Sequence, residues 1–431
     1  MRGGRWWTNT LRYARRKQPV LNMELCKLDV GLEKYIYLDP ETNFWAYADV
    51  SEEKDILRLF KDVRDELLKE MLKCRFEVRI RTVYLNVTDR CNANCPYCYI
   101  PEYRRKNGVT MKKEELYSYL NEFLEKGVEW VIFHGAEPMI AKNLIFDAMD
   151  DFSELKFGVQ TNGFLLEEED VKFLINRGVN IGISFDSPYR EVEDFLRGKG
   201  HYDKVMEVLE FCGGYDRFSV ITTINKYNFT HLDKMVDLLA GKVPVLLMNI
   251  VRGTSETGRV LRVDASEQFI KAVERAINHT KNGRRIVIGD FANYLLGILA
   301  PSARVLQCDV SPCGAGRRFI SLATDGFYPC SEFVGLKEFR VKDFDSAVKT
   351  FENVRNRTVE KIEECRDCPL RNICGSPCPA EVYSEYGTFF KKSPSCDYYK
   401  RVIEHAFRVL VRGDYKYILK MENLKEKFSW V

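Results

Sequence analysis

The sequence predicts an α/β protein, a partial (β/α)6 barrel over residues 80–300 followed by a small cysteine-rich domain. Three observations lead there. From about residue 80, short β-rich runs alternate with amphipathic helical stretches. The connections between them are short, which implies a parallel sheet wound right-handedly. After about residue 300 the rhythm stops, and residues 305–400 hold eight cysteines, several Gly and Pro, and little helical period. Such a segment is organised by bound metal rather than by a large core.

Composition bounds the rest. The 431 residues allow two or three domains, and 45% apolar residues allow a sizeable core. A net charge of +3 gives no case for nucleic-acid binding by field alone. No run of about 18 apolar residues exists, so no membrane span is expected. The N-terminal "MRGGRWWTNTLRYARRKQ" is basic but lacks the apolar run of a signal peptide. It is either a disordered arm or lies ahead of a true start at Met23. Fourteen cysteines, clustered at short spacings without an export signal, point to metal ligation in a reducing compartment, the cytoplasm.

Residues 1–79 form an N-terminal arm, a β-hairpin ("KYIYLD", "FWAYAD") and a helix over 51–73. Ser51 is the expected N-cap, and Leu57, Phe60, Val63, Leu67 and Met71 share one face. The barrel strands are "TVYLNVT", "WVIFHG", "KFGVQTN", "VNIGISFD", "FSVITTIN" and "VPVLLMNIV". Helices begin near Lys112, Lys142, Glu167, His201, His231 and Ser266. Six units are too few for a closed eight-unit barrel, so the sheet stays open, with function at the C-terminal ends of its strands. Residues 301–400 are the cysteine-rich domain, and 401–431 a tail whose helix starts near Asp397 and runs to Val411.

Just after the first strand comes "CNANCPYC", residues 91–98. Cys91, Cys95 and Cys98 read C-x3-C-x2-C, with Tyr97 before the last thiol. Three thiolates are the wrong number for a closed zinc site, which takes four ligands. They suit a four-iron, four-sulfur cube with one iron open to a small chelating molecule. Downstream, Cys365, Cys368, Cys374 and Cys378 read C-x2-C-x5-C-x3-C, with Cys308, Cys313 and Cys330 before them and Cys396 after. Eight thiols suffice for two fully ligated four-iron clusters. Zinc remains the alternative, because C-x2-C pairs also build zinc ribbons.

The cysteine triplet on a strand-to-helix loop resembles the signature of the radical S-adenosylmethionine (SAM) enzymes, and the likeness spans residues 80–300. That resemblance implies the following. "HGAEP", 134–138, stands where the family has two glycines and a glutamate. Gly135 and Glu137 match and Ala136 departs, and the backbone edge and the acid would hold the SAM amino group. His134 occupies a position that often touches the ligand. Ser184 and Arg197 would take the SAM carboxylate, the Arg because its fork meets both oxygens. Asn225 would reach the adenosine. The reaction implied is reductive cleavage of SAM to a 5′-deoxyadenosyl radical that abstracts hydrogen from a substrate. An electron donor such as ferredoxin or flavodoxin is implied as a partner.

The second half resembles the SPASM extension, which implies two auxiliary clusters and hence three [4Fe-4S] clusters in all. Cys308, Cys313, Cys330 and Cys378 would hold the first auxiliary cluster, and Cys365, Cys368, Cys374 and Cys396 the second. Cys308 is the least anchored ligand. "DGFYPC", 325–330, matches a turn-and-strand segment, one residue shorter than usual between Gly326 and Cys330. Cys26, Cys74 and Cys212 lie outside every motif and read as small apolar residues. SPASM enzymes mostly modify peptides or proteins, so the substrate expected is a peptide or protein, and the product a thioether or carbon–carbon crosslink or an oxidised side chain. The arm would be a partial peptide-docking element. The alternatives are a sulfatase-maturase-like formylglycine-forming enzyme, a cofactor- or tetrapyrrole-tailoring enzyme, and a non-catalytic iron–sulfur or zinc scaffold.

Overall fold

The computed structural model describes residues 24–300, 308 and 311–419. The basic arm and a start at Met23 lie outside the described residues.

The N-terminal element is a three-stranded antiparallel sheet, β1 (Cys26–Leu28), β2 (Tyr35–Leu38) and β3 (Trp45–Ala48), paired in that order. The expected hairpin is β2 and β3. Strand β1 is too short, at three residues, to show a period. The following helix runs Glu53–Phe76 and is entered through a single tight turn, Val50–Glu52. Asp49 caps that turn, its N–H meeting the Glu52 carboxylate at 2.8 Å, so Ser51 lies inside the turn and is not the cap. Phe60 and Met71 of the expected face are buried, joined by Ile56 and Cys74, while Leu57, Val63 and Leu67 are half-buried.

The main sheet has nine strands among the described residues, in the order β10-β9-β8-β7-β6-β5-β4-β11-β12. Six are those expected, β4 (Thr82–Leu85), β5 (Trp130–Phe133), β6 (Lys156–Thr161), β7 (Asn180–Ser184), β8 (Phe218–Ile224) and β9 (Val245–Ile250), all parallel and in sequential order. Three more extend it. Two-residue β10 (Val287–Ile288) pairs parallel with β9. At the other edge β11 (Phe319–Ala323) pairs parallel with β4 and turns back as β12 (Gly326–Tyr328). The "DGFYPC" stretch is thus a hairpin that continues the barrel sheet.

Helices follow the strands at Lys113–Glu125, Lys142–Asp151, Glu168–Asn176, His201–Phe211, Leu232–Leu239 and Ser266–Lys281. Within residues 80–300, four further helices lie outside the expected pattern, namely Glu102–Asn107, Arg190–Arg197, Glu256–Leu261 and Gly289–Leu299. The first three are one or two turns long, too short for a period to stand out, and the last is mostly apolar and largely buried.

Strand parity divides the interior. Val83, Leu85, Val131, Phe133, Val159, Ile181, Val220 and Leu246 point outward under the helices and are at most 1% exposed. The opposite parity, Tyr84, Gln160, Ser184, Thr223 and Asn249, faces a central cavity. Crowding inside the sheet is relieved by glycine, since a Cβ at Gly182 would sit 2.9 Å from Ile221 Cδ1. Helix Cys396–Arg412 packs the C-terminal region against the N-terminal sheet, with Trp45 edge-on to Phe407 at 5.7 Å. Asn372 adds a hydrogen bond from Nδ2 to the Pro40 carbonyl at 2.8 Å. No helix of the described residues is long and apolar enough to cross a membrane.

Candidate active site

Strand β4 ends at Leu85, and the loop beyond it carries Cys91, Cys95 and Cys98 over the mouth of the sheet. Its shape is set by Arg105 on the short helix Glu102–Asn107. Arg105 Nε donates to the Ile100 carbonyl at 3.1 Å, and Nη1 reaches the Ala93 carbonyl at 3.3 Å and Asn94 Oδ1 at 3.0 Å. Its own carbonyl accepts the Cys91 N–H at 3.1 Å. One residue therefore clamps the loop at four points, three through its buried guanidinium and one through its carbonyl, and no motif announces it.

The three thiols line a cavity of about 390 Å3 together with Tyr97, His134, Gly135, Ala136, Ser184 and Arg197. Cys308, Cys313, Cys330 and Cys378 line the same cavity. Gly135 has φ +111°, and a Cβ there would lie 2.2 Å from Asn86 Cγ, so the backbone edge at the end of β5 is open because this residue is glycine. His134 meets the Tyr99 hydroxyl through Nε2 at 3.1 Å, and burial lowers it to about 4, leaving a neutral imidazole at ordinary pH.

Glu137 and Asn225 lie behind this wall, both 0% exposed. The Glu137 carboxylate accepts from Met139 N at 3.0 Å, Thr161 Oγ1 at 2.5 Å and Asn162 N at 2.8 Å, so it ties the end of β5 to the end of β6. Asn225 is committed to its own turn, donating to the Thr223 carbonyl and accepting from Tyr227 N, each at 2.9 Å. Arg197 gives Nε and Nη2 to Asp186 at 2.6 and 3.2 Å and turns Nη1 toward Cys95 Sγ at 3.8 Å. The Tyr97 hydroxyl also donates to Asp186, and Arg197 lies over its ring at 5.4 Å. Asp186 is thus the hub that orients Arg197, and it is not among the expected site residues. Removing the cation strands a buried anion. Arg197→Ala is expected to cost about 3–5 kcal/mol of unfolding free energy in the apo chain. A denaturant midpoint unchanged from wild type would reject the ion pair.

Electrostatics bears on what the thiols can hold. Burial pushes the Cys91 thiol up to about 12 against the Ala93 N–H, and Glu137, Cys95 and Cys98 add to the rise. Burial also raises Cys95 and Cys98, with Arg197 and Arg105 the first to oppose it. Thiolates form here only when positive charge is brought among them, as iron brings it. Among the described residues, no three Cys, His, Asp or Glu side chains are close enough to share one metal ion. Three thiolates are one short of a closed zinc site but suit a four-iron cube with one iron left open. The donor set fits the cube.

The remaining cysteines form two neighbourhoods. Cys330 is raised by burial, then by Cys378, Cys313, Glu332 and Cys308. Burial raises Cys378 to about 12. Cys365, Cys374 and Cys396, raised chiefly by burial, all feel Cys368, away from the cavity. Cys308 is exposed. Cys74 and Cys212 are buried, as expected of small apolar residues, but Cys26 is half-buried and feels Cys368.

An α/β protein with a parallel sheet, a cysteine triad on the first strand-end loop and a cavity beneath it is the class that fold and site define. Residues 85–239 match the model of the Radical SAM superfamily. The chain is 54% identical to an uncharacterized protein of Archaeoglobus fulgidus over 93% of its own length and 98% of the relative's. It is 25% identical to the PqqA peptide cyclase of Granulibacter bethesdensis, over 76% of this chain and 90% of that one. The solved structure of native anSMEcpe with bound AdoMet shares the fold at a TM-score of 0.65, covering 77% of this chain and 99% of that chain with 22% identity. The chain carries a radical SAM domain.

Proposed function

We propose that this enzyme is a maturase that modifies a peptide or protein substrate, with three four-iron clusters. Residues 301–400 act as its SPASM domain and residues 1–79 as a partial docking element. Cys91, Cys95 and Cys98 would hold the cluster that binds SAM, and the two quartets, Cys308, Cys313, Cys330 and Cys378 and then Cys365, Cys368, Cys374 and Cys396, would hold the auxiliary clusters. When bound, the first cluster and SAM supply a 5′-deoxyadenosyl radical that takes a hydrogen atom from the substrate. Ferredoxin or flavodoxin is the kind of electron donor that fits.

The observation that carries this reading is the shared cavity. Cys91, Cys95 and Cys98 line it together with Cys308, Cys313, Cys330 and Cys378. A substrate in that space is in reach of both sites. The chain's own residues do the holding. Gly135 and Ala136 offer a backbone edge, Ser184 and Arg197 offer donors to a carboxylate, and His134 stands as a neutral imidazole against the Tyr99 hydroxyl. Tyr84, Phe319 and Phe333 add apolar wall that keeps water out.

Iron and sulfide counting after anaerobic reconstitution tests the cluster assignment. About twelve irons per chain are expected for three four-iron clusters. Zinc in place of the auxiliary iron would overturn it and favour a scaffold.

A further inference from the structure

A second cavity, of about 580 Å3, adjoins the first on the outer side of the cysteine loop. Cys95, Cys98, Tyr99, Arg105, Thr254 and Glu332 line both. These six residues form the wall common to the two cavities, and the Glu332 side chain belongs to it.

Charge on the walls of the outer cavity is mostly spent. Arg105 is consumed by the loop it clamps, and Glu102 pairs with Lys106 at 2.6 Å on the surface. Glu332 is different. It accepts a hydrogen bond from Thr254 Oγ1 at 3.2 Å, and no cation lies within 4.0 Å of it among the described residues. Arg252, on the wall of the inner cavity, spends Nη1 on the Tyr399 hydroxyl at 2.6 Å. A carboxylate has about four acceptor directions, and leaving them bare in a desolvated neck is costly. A cationic donor arriving from the outer cavity relieves that cost and gains charge-assisted hydrogen bonds.

We infer that the outer cavity admits the substrate and that Glu332 selects it by binding an alkylammonium or guanidinium group, as on a lysine or arginine side chain or an amino terminus. The carbon next to that group is then presented to the inner cavity. The peptide nature of the substrate rests on the function proposed above, but the positive charge does not.

Saturation-transfer NMR titrations of the anaerobically reconstituted holoenzyme test this with n-butylammonium and its neutral counterpart butan-1-ol. The ammonium should bind about ten-fold tighter to wild type, and Glu332→Gln should bring the ratio near one. Iron content equal to wild type shows that the variant is intact. If Glu332→Gln does not hold its clusters, Glu332→Asp replaces it. The charge is kept but withdrawn by one methylene, and the preference should shrink. No preference in wild type, or an equal preference in the variants, overturns the inference. Acetyl-Ala-Lys-Ala-amide and acetyl-Ala-norleucine-Ala-amide are titrated in parallel. If neither peptide binds while butylammonium shows its Glu332-dependent preference, the cation site stands and the peptide reading fails.

Discussion

Replacing Cys91, Cys95 and Cys98 together by Ala is expected to abolish SAM cleavage while leaving the auxiliary clusters in place. Iron should fall from about twelve to about eight per chain, and 5′-deoxyadenosine should drop to background under reducing conditions. The separation follows from where the thiols sit. The triad lies on a loop held from its own side by Arg105 and by Asn162, whose Nδ2 donates to Asn92 Oδ1 at 2.8 Å. The quartets stand on other supports. Cys330 and Cys378 pack against a small core of Ala315, Phe319, Phe333 and Phe389. Cys368 and Cys374 pack against the main core. Smaller side chains at 91, 95 and 98 remove ligands without removing any of that packing. Continued 5′-deoxyadenosine formation by the triple variant, or loss of all iron, contradicts the division of labour.

What was legible in the sequence is what depends on local period. The six barrel strands alternate or run apolar over four to seven residues, and their helices begin within a residue of the expected positions, as at Lys142, His201 and Ser266. The cysteine triad was legible because its spacing is itself the chemistry. Long-range pairing was not. Strand β11 joins β4 across more than two hundred residues, with Ser321 opposite Tyr84, and nothing local to either strand encodes that. Orientation was hidden too. The motif placed Glu137 at the right strand end, but its carboxylate turns inward because Met139 N, Thr161 Oγ1 and Asn162 N converge there once β5 and β6 have paired. Asp186 stood at the end of the quoted strand "VNIGISFD" without a role, since its partners Tyr97, Arg197 and Thr223 come from three other segments. Glu193 and His201 carried no signal beyond being polar residues eight apart.

Those two residues hold the second large expected effect. Both side chains are 0% exposed. Glu193 Oε2 accepts the backbone N–H groups of Asp186 and Ser187 at 2.8 and 2.7 Å, which fixes the strand end that carries the Asp186–Arg197 pair. Its Oε1 meets His201 Nδ1 at 2.6 Å, and His201 Nε2 meets the Asn162 carbonyl at 2.6 Å. A carbonyl oxygen only accepts, so Nε2 carries a hydrogen and the remaining proton lies in the Nδ1–Oε1 bond. The dyad thus ties the loop after β6 to the loop after β7, and through Asn162 and Arg197 it braces Cys91 and Cys95. Glu193→Ala strands two backbone donors and one ring nitrogen in a dry site, and the expected loss is roughly 3–5 kcal/mol of unfolding free energy. Glu193→Gln should cost far less, about 1 kcal/mol. Its amide oxygen can accept both N–H groups, and its amide nitrogen can donate to Nδ1 of a neutral imidazole that keeps its hydrogen on Nε2. Urea unfolding of the apo variants reads the gap directly. A gap below about 1 kcal/mol between Ala and Gln would mean that the two backbone donors find other partners and that the loops are tied elsewhere.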